Sequence, residues 1–237
     1  NLMLPTLFQS YGITIYSYAL IMGIAWGLAY RITEGLITEQ IQPFFKKFFL
    51  GLFVSAWVGG KLLYLMTTTA GATFQTNPNF WFGGGFVFYG GLIVSLLFTL
   101  LTMRLTNINI LPYPVPGLLI GHGIGRIGCL LAGCCFGIKY EGIGAILINQ
   151  QSRFPVQAIE AGVLIIMGIY FFKKFRPQIV FHYLMIYPAI RFFLEFLRND
   201  EVRGTYWGIS SSQILSLLIF SVSLIVWIRT KATIANA

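Results

Sequence analysis

The sequence predicts an all-α polytopic membrane protein with seven transmembrane helices, its N-terminus outside and its C-terminus cytoplasmic. Three observations carry this expectation. First, of 237 residues, 57% are apolar and only 10% charged, with mean hydropathy +0.77. A soluble domain carries about 25% charged residues, so this composition cannot build a water-facing surface. Second, seven apolar stretches follow one another with short connections. At about 20 residues per span they use most of the chain, and residues 1–237 are expected to form a single transmembrane domain. Third, of the 16 Lys and Arg, set against 7 Asp and Glu, all but Lys61, Arg126 and Arg191 lie outside the stretches, and they form no single cluster. That spacing reads as membrane orientation, not as a nucleic-acid footprint.

In order, the spans are expected at about 12–30, 48–68, 86–103, 112–131, 155–172, 179–197 and 207–228. The first is preceded by no Lys or Arg and is longer than a signal-peptide core, so it reads as a span. The second holds Lys61. The third opens on Tyr89-Gly90-Gly91, whose glycines are expected to bring it close to the fourth, and the Gly83-Gly84-Gly85 run before it reads as a loop or hinge. The fourth is glycine-rich around His122 and Arg126, and Gly133-Cys134-Cys135-Phe136-Gly137 should end it. Glu160 enters early in the fifth, while Tyr187, Arg191 and Glu195 stand in the sixth. Gly and Pro inside these runs are tolerated because neighbouring helices re-satisfy the backbone.

Counting Lys and Arg in the connections orients the chain. Arg31, Lys46, Lys47, Arg104, Lys173, Lys174, Arg176, Arg229 and Lys231 lie on one side, and Lys139, Arg153, Arg198 and Arg203 on the other. The richer side is cytoplasmic. Lys61, Arg126, Glu160, Arg191 and Glu195 then all fall in the outer half of the membrane, joined by Tyr16, Tyr18 and Tyr89. A charge at mid-bilayer costs about 2.5–3.5 kcal/mol on insertion scales, so each should be paired or face water. Three bases against two acids leave one positive charge over. Arg153, Arg198 and Arg203 add to it from the rim, partly offset by Asp200 and Glu201. Internal ion pairs with snorkelling rim residues would satisfy this pattern. So would a site for an anion in the outer leaflet, where a phospholipid headgroup is the abundant anion and arginine the apt ligand. His122, Arg126 and Cys129 share one helix face, and Tyr187, Arg191, Glu195 and Arg198 share another, where Glu195 can orient one or both arginines.

Cys129, Cys134 and Cys135 form C-x4-C-C near the outer end of the fourth span. Zinc would need a fourth ligand such as His122, and the spacing fits no common pattern. A disulfide from Cys129 to Cys134 or Cys135, free thiols packed as small residues, and a catalytic thiol are the other readings. His122, one turn before Arg126, is either a structural histidine or a general base.

The segment Gly-Arg-Ile-Gly-Cys-Leu-Leu-Ala-Gly-Cys-Cys-Phe-Gly at 125–137 resembles the signature of the prolipoprotein diacylglyceryl transferases. Four further motifs resemble that family's in the same order: Tyr16-Ser17-Tyr18-Ala19, Tyr89-Gly90-Gly91-Leu92-Ile93, Pro155-Val156-Gln157-Ala158-Ile159-Glu160, and Tyr187-x-x-x-Arg191-x-x-x-Glu195-x-x-Arg198. The resemblance implies seven transmembrane helices with the site toward the extracytoplasmic side of a bacterial inner membrane. It implies transfer of diacylglyceryl from phosphatidylglycerol to the lipobox cysteine of a prolipoprotein, with release of glycerol 1-phosphate and no metal or organic cofactor. It implies that Arg126 binds the phosphate, that Arg191, Arg198 and Glu195 shape the site, and that Tyr18 and Tyr187 line it. Gly137, Gln157 and Glu160 fall on matched positions of the same binding set. Three positions depart: Tyr89 stands where the family has His, Cys129 where it usually has Asn, and Cys134 where it usually has Glu. Arg126, Arg191, Tyr89 and His122 are thus the catalytic candidates, and Cys129 and Cys134 join the substrate-binding ones. A different acceptor, or a non-catalytic phospholipid-binding or transport protein, would also use this scaffold.

Overall fold

The computed structural model describes residues 4, 6–10, 13–67, 86–148, 150–199, 205–206 and 209–235. Arg203, Asp200, Glu201 and the Gly83-Gly84-Gly85 run lie outside them. Among the described residues the chain forms seven α-helices and three two-stranded antiparallel hairpins. The strands are β1 (Thr6–Ser10), β2 (Ile13–Tyr16), β3 (Ile146–Ile148), β4 (Gln151–Arg153), β5 (Thr205–Tyr206) and β6 (Ile209–Ser210). The helices are α1 (Ser17–Glu34), α2 (Phe45–Thr67), α3 (Phe88–Thr106), α4 (Pro114–Leu131), α5 (Val156–Lys173), α6 (Ile179–Glu195) and α7 (Ser211–Ala235).

Their solvent is legible in what they expose. Leu105 is 75% exposed, Ile166 70% and Phe193 67%, whereas Glu160 and Gln157 are 1% exposed and Arg191 2%. Water would favour the reverse distribution; a bilayer favours this one, because exposed apolar side chains meet lipid and buried charges meet partners. Among the described residues, five helices are long and apolar enough to cross a membrane, counting α2 with the short 3-10 turn before it: residues 42–67, 88–106, 114–131, 156–173 and 211–230. The chain is therefore a polytopic membrane protein.

Two expected boundaries move for local reasons. The first helix starts at Ser17 rather than near residue 12, because Ile13, Thr14 and Ile15 pair antiparallel with Ser10, Gln9 and Phe8 respectively; a β-branched run favours a strand. Tyr16, expected near the outer end of the first span, ends that strand and is 57% exposed. The last helix starts at Ser211 rather than near 207. Ahead of it, Ser210 N–H donates to Gln213 Oε1 at 3.0 Å, and Gln213 N–H donates to Ser210 Oγ at 3.2 Å. This reciprocal pair is a capping box, which satisfies two backbone donors at a helix start.

The chain divides into two compact units, residues 1–36, 112–200 and 216–237, and residues 37–111 and 201–215. In the first, α4 lies between α1 and α5 at backbone distance. A Cβ on Gly117 would stand 2.6 Å from the Ala29 carbonyl oxygen, and one on Gly123 would stand 2.9 Å from that of Ala161. Small residues permit such approach in membranes, where dispersion rather than hydrophobicity drives helix association. Arg126, one turn on, is buried as a result.

In the second unit α2 packs on α3. Gly90 and Gly91 press against α2: a Cβ on Gly91 would stand 2.8 Å from the Ala56 carbonyl oxygen. The Phe98 ring occupies the notch left by Gly51 and stacks on Phe48 with centroids 5.8 Å apart. Lys61 is buried here, its Nζ 4.3 Å from the centroid of the Phe86 ring, and Tyr89 is buried at the start of α3.

Candidate functional site

The first unit gathers most of the candidate residues, and their frame is the way α4 ends. Gly133, at φ +68°, follows the C-cap Ala132 in the left-handed region. Its N–H donates to the Leu130 carbonyl at 3.1 Å, and the Cys134 N–H donates to the Cys129 carbonyl at 3.1 Å. These two bonds make a Schellman motif, which glycine enters at little cost. The motif turns the chain back over the last helical turn and sets Cys134 beside Cys129. Gln157 fastens the turn by donating from Nε2 to the Cys134 carbonyl at 2.8 Å.

Beyond the turn, residues 136–139 run as an extended segment clasped on both sides. Ile138 N–H donates to the Leu197 carbonyl at 3.0 Å, Asn199 N–H to the Phe136 carbonyl at 3.2 Å, and Phe154 N–H to the Ile138 carbonyl at 3.0 Å. Gly137 faces Arg198 across this bridge. A Cβ on Gly137 would stand 3.0 Å from the Leu197 carbonyl oxygen and collide with that of Phe154. The glycine is thus required by backbone proximity. Arg153 completes the clasp: Nη1 donates to the Gly137 carbonyl at 3.1 Å, Nη2 to Gln151 Oε1 at 2.5 Å, and the guanidinium lies 4.0 Å over the Phe136 ring. Expected at the rim, Arg153 and Arg198 are instead 8% and 9% exposed.

This frame brings the charged side chains into two linked groups. Arg126 Nε lies 3.0 Å from Glu160 Oε2, and Tyr187 donates its hydroxyl to Glu160 Oε1 at 3.2 Å. The His122 ring meets Tyr187 edge-on at 5.2 Å, and the Tyr183 ring stacks on Tyr187 at 5.9 Å. Arg191 Nη2 lies 2.5 Å from Glu195 Oε2, and Arg198 Nε approaches the same oxygen at 3.9 Å. As the helical spacing predicts, Glu195 serves both arginines. Three buried guanidinium groups therefore face two buried carboxylates, one positive charge in excess, with Arg198 in the sum and Lys61 in the other unit. Arg191 Nη1 and Gln157 Oε1 are buried with no hydrogen-bond partner among the described residues. An unpaired buried donor is costly, and a phosphate oxygen is its natural acceptor, because the guanidinium fork matches phosphate geometry and stays charged when desolvated.

Tyr18 lies against α4, its Cδ2 3.3 Å from where a Cβ on Gly128 would stand, and within electrostatic reach of Arg126 and the cysteines. The three thiols, all free, converge: their Sγ atoms lie within 4.8 Å of one another, without His122. Hydrogen bonds from Cys129 and Cys134, reinforced by Arg198 and Arg126, hold the Cys135 thiol well below its ordinary pKa. The sequence left Cys135 with Cys129 and Cys134 among zinc, disulfide, packing and catalytic-thiol readings; its signal was its place two residues past the helix-ending Gly133. Of the catalytic candidates, the first unit gathers Arg126, Arg191 and His122, and Tyr89 belongs to the second.

Comparison with known proteins gives an independent reading. Residues 5–229 match the family description "Prolipoprotein diacylglyceryl transferase". The phosphatidylglycerol–prolipoprotein diacylglyceryl transferase 2 of Clostridium perfringens (strain 13 / Type A) is 32% identical over 231 aligned positions, which cover 89% of this chain and 89% of that one. The phosphatidylglycerol–prolipoprotein diacylglyceryl transferase of Clostridium tetani (strain Massachusetts / E88) is 28% identical, over 95% of this chain and 97% of its own. That of Dehalococcoides mccartyi (strain ATCC BAA-2100 / JCM 16839 / KCTC 5957 / BAV1) is 30% identical, over 71% and 70%.

Proposed function

The chain belongs to the prolipoprotein diacylglyceryl transferase family, and from that premise we propose that it transfers the diacylglyceryl group of phosphatidylglycerol to the lipobox cysteine of prolipoproteins, releasing glycerol 1-phosphate. The observation that carries the reading is the buried group of Arg126, Arg191 and Arg198 against only Glu160 and Glu195, with one Arg191 donor unsatisfied.

The chemistry is substitution at the glyceryl carbon that bears the phosphate ester. The acceptor sulfur forms the S–C bond, the C–O bond breaks, and its electron pair leaves on the phosphate oxygen. Charge grows on that phosphate, and Arg126 with Arg191 or Arg198 stabilises it with donors already in place. Glu160 and Glu195 hold the guanidinium groups in orientation, Tyr187 and Tyr18 line the headgroup, and Gly137 and Gln157 fix the wall beside Arg198. Cys129 and Cys134 close the floor. An acceptor thiol has a free pKa of about 8.5, and the surplus positive charge favours its thiolate. His122 stands on the Arg126 face as the candidate base, whereas a tyrosine with a pKa near 10 makes Tyr89 a weak one at neutrality.

The reading places all seven helices across a bacterial inner membrane with the N-terminus outside, so that the site opens toward the extracytoplasmic side. Single cysteines introduced at Lys173 and at Lys139 test it: the first should react with membrane-impermeant maleimide only after the membrane is opened, the second in intact cells. The reverse pattern sinks the orientation. The activity test uses purified protein, phosphatidylglycerol and a lipobox peptide, and follows glycerol phosphate. Release that requires the peptide cysteine is expected. Release independent of the peptide, or none with lipid bound, overturns the proposed acceptor.

A further inference from the structure

We propose that Cys129, Cys134 and Cys135 together bind one soft divalent metal ion of the zinc class, leaving its fourth coordination position open to the acceptor thiol. The second half of this statement rests on the transferase reading; the first half does not.

Geometry comes first. Zinc binds thiolate at about 2.3 Å, which in a tetrahedral site separates the sulfurs by about 3.8 Å. The three Sγ atoms already lie within 4.8 Å of one another, so a small inward shift completes three vertices. Two separate backbone devices produce the convergence. The Schellman turn pairs Cys134 with Cys129, as such turns pair the side chains at these two positions. It does not account for Cys135, which reaches the cluster by holding φ at +60°. A non-glycine residue in that region is strained, and strain of this kind gathers at functional sites. No second glycine relieves it here, although glycine would cost least.

Charge and access agree with geometry. Three thiolates around a divalent ion leave one net negative charge, in a unit that also buries Arg126 and Arg198. Three thiols also cannot all be consumed by one disulfide. The cluster is graded in exposure: Cys129 is buried, Cys135 intermediate and Cys134 exposed. One side of a bound ion is thus walled by α4, and the other is open. Three protein ligands with an open fourth position is the arrangement of catalytic rather than structural zinc.

A coordinated thiol is deprotonated outright. The acceptor thiol would give its proton to water on binding the ion, and the bound thiolate would attack the glyceryl carbon. The new S–C bond forms as the C–O bond to phosphate breaks, with no change in oxidation state. The thioether product is a poorer donor and leaves the ion.

The test uses the full-length chain purified in detergent under reducing conditions. Zinc content after gel filtration is measured first, and the protein is then stripped with a chelator and titrated with cobalt(II). One retained zinc per chain and an intense thiolate-to-cobalt charge-transfer band are expected. Cys129→Ser, Cys134→Ser and Cys135→Ser should each lower metal affinity by at least about tenfold. Unchanged helical circular dichroism and a single elution peak would show that these variants fold. A lipobox peptide with cysteine should shift the cobalt d–d bands, and its serine counterpart should not. Failure of reduced wild-type protein to take zinc or cobalt overturns the site, as does a band that survives the triple serine variant. Bound cobalt that ignores the cysteine peptide overturns the open position. A cysteine-dependent shift without any transfer supports the site and overturns the transferase reading alone.

Discussion

Arg126→Ala is expected to lower kcat/KM for peptide-dependent glycerol phosphate release by at least about 10²–10³-fold, the effect of removing one preorganised charge-stabilising donor. Two consequences of the substitution must be separated. The developing phosphate charge loses a guanidinium, and Glu160, 1% exposed, loses the ion pair at 3.0 Å while keeping the hydrogen bond from the Tyr187 hydroxyl. Leaving one member of a buried pair costs about 3–5 kcal/mol of stability, so the alanine variant should also melt lower. Arg126→Lys distinguishes the two. It keeps a positive charge for Glu160 and therefore most of the stability, but it loses the planar fork that grips phosphate. A lysine variant that folds normally and turns over poorly places Arg126 on the phosphate. Wild-type turnover by either variant would remove Arg126 from the proposed mechanism.

Glu195→Ala should produce the largest change in stability that lipid can reverse. Its carboxylate serves Arg191 at 2.5 Å and Arg198 at 3.9 Å, and both guanidinium groups are buried. Without it, two like charges remain in a poorly solvated place, again at a cost of about 3–5 kcal/mol. A phosphodiester bound between the arginines would supply the missing negative charge. The melting temperature of Glu195→Ala should therefore be depressed in detergent alone and should rise more than that of the wild type when phosphatidylglycerol is added, since a ligand stabilises the state that binds it. Equal shifts in the two proteins would mean that the phosphate does not sit between Arg191 and Arg198.

The two predictions draw on different kinds of legibility. Arg191 and Glu195 were readable from spacing, because the helical period sets them one turn apart in α6, whereas Arg198 lies past the end of that helix. Glu160 was readable as an intramembrane acid that needed a base, although spacing did not say which one; the close packing of α4 on α5 decided it. Lys61 was read into the same layer from its depth. Depth is one coordinate of three, and the lysine belongs to the α2–α3 unit, buried over Phe86. Gly90 and Gly91 show the same limit. A pair of glycines announces a close approach without naming the neighbour, and the neighbour is α2.

Residues outside the helices were the least legible. Arg153 and Arg198 looked like rim charges because they stand in connections, where a solvated side chain is the ordinary outcome. The clasp around residues 136–139 buries both. It is built from backbone hydrogen bonds between segments distant in sequence, which leave no side-chain pattern to read. The start of α1 failed for a related reason: residues 13–15 are apolar enough for a span, and their pairing with residues 8–10 claims them for a strand.

By itself the sequence determined the solvent, the order of the described helices, the helix stop at Gly133, and the family. Each depends on composition or on periodicity within one segment, where a run of about 20 apolar residues or a glycine at a helix end suffices physically. Tertiary structure alone decided which base meets which acid, that Arg153 and Arg198 are buried, and that three cysteines share one small volume. Those outcomes depend on the distance between segments. In this protein it is set by missing side chains, at Gly117, Gly123 and Gly137, which let one backbone lie against the next.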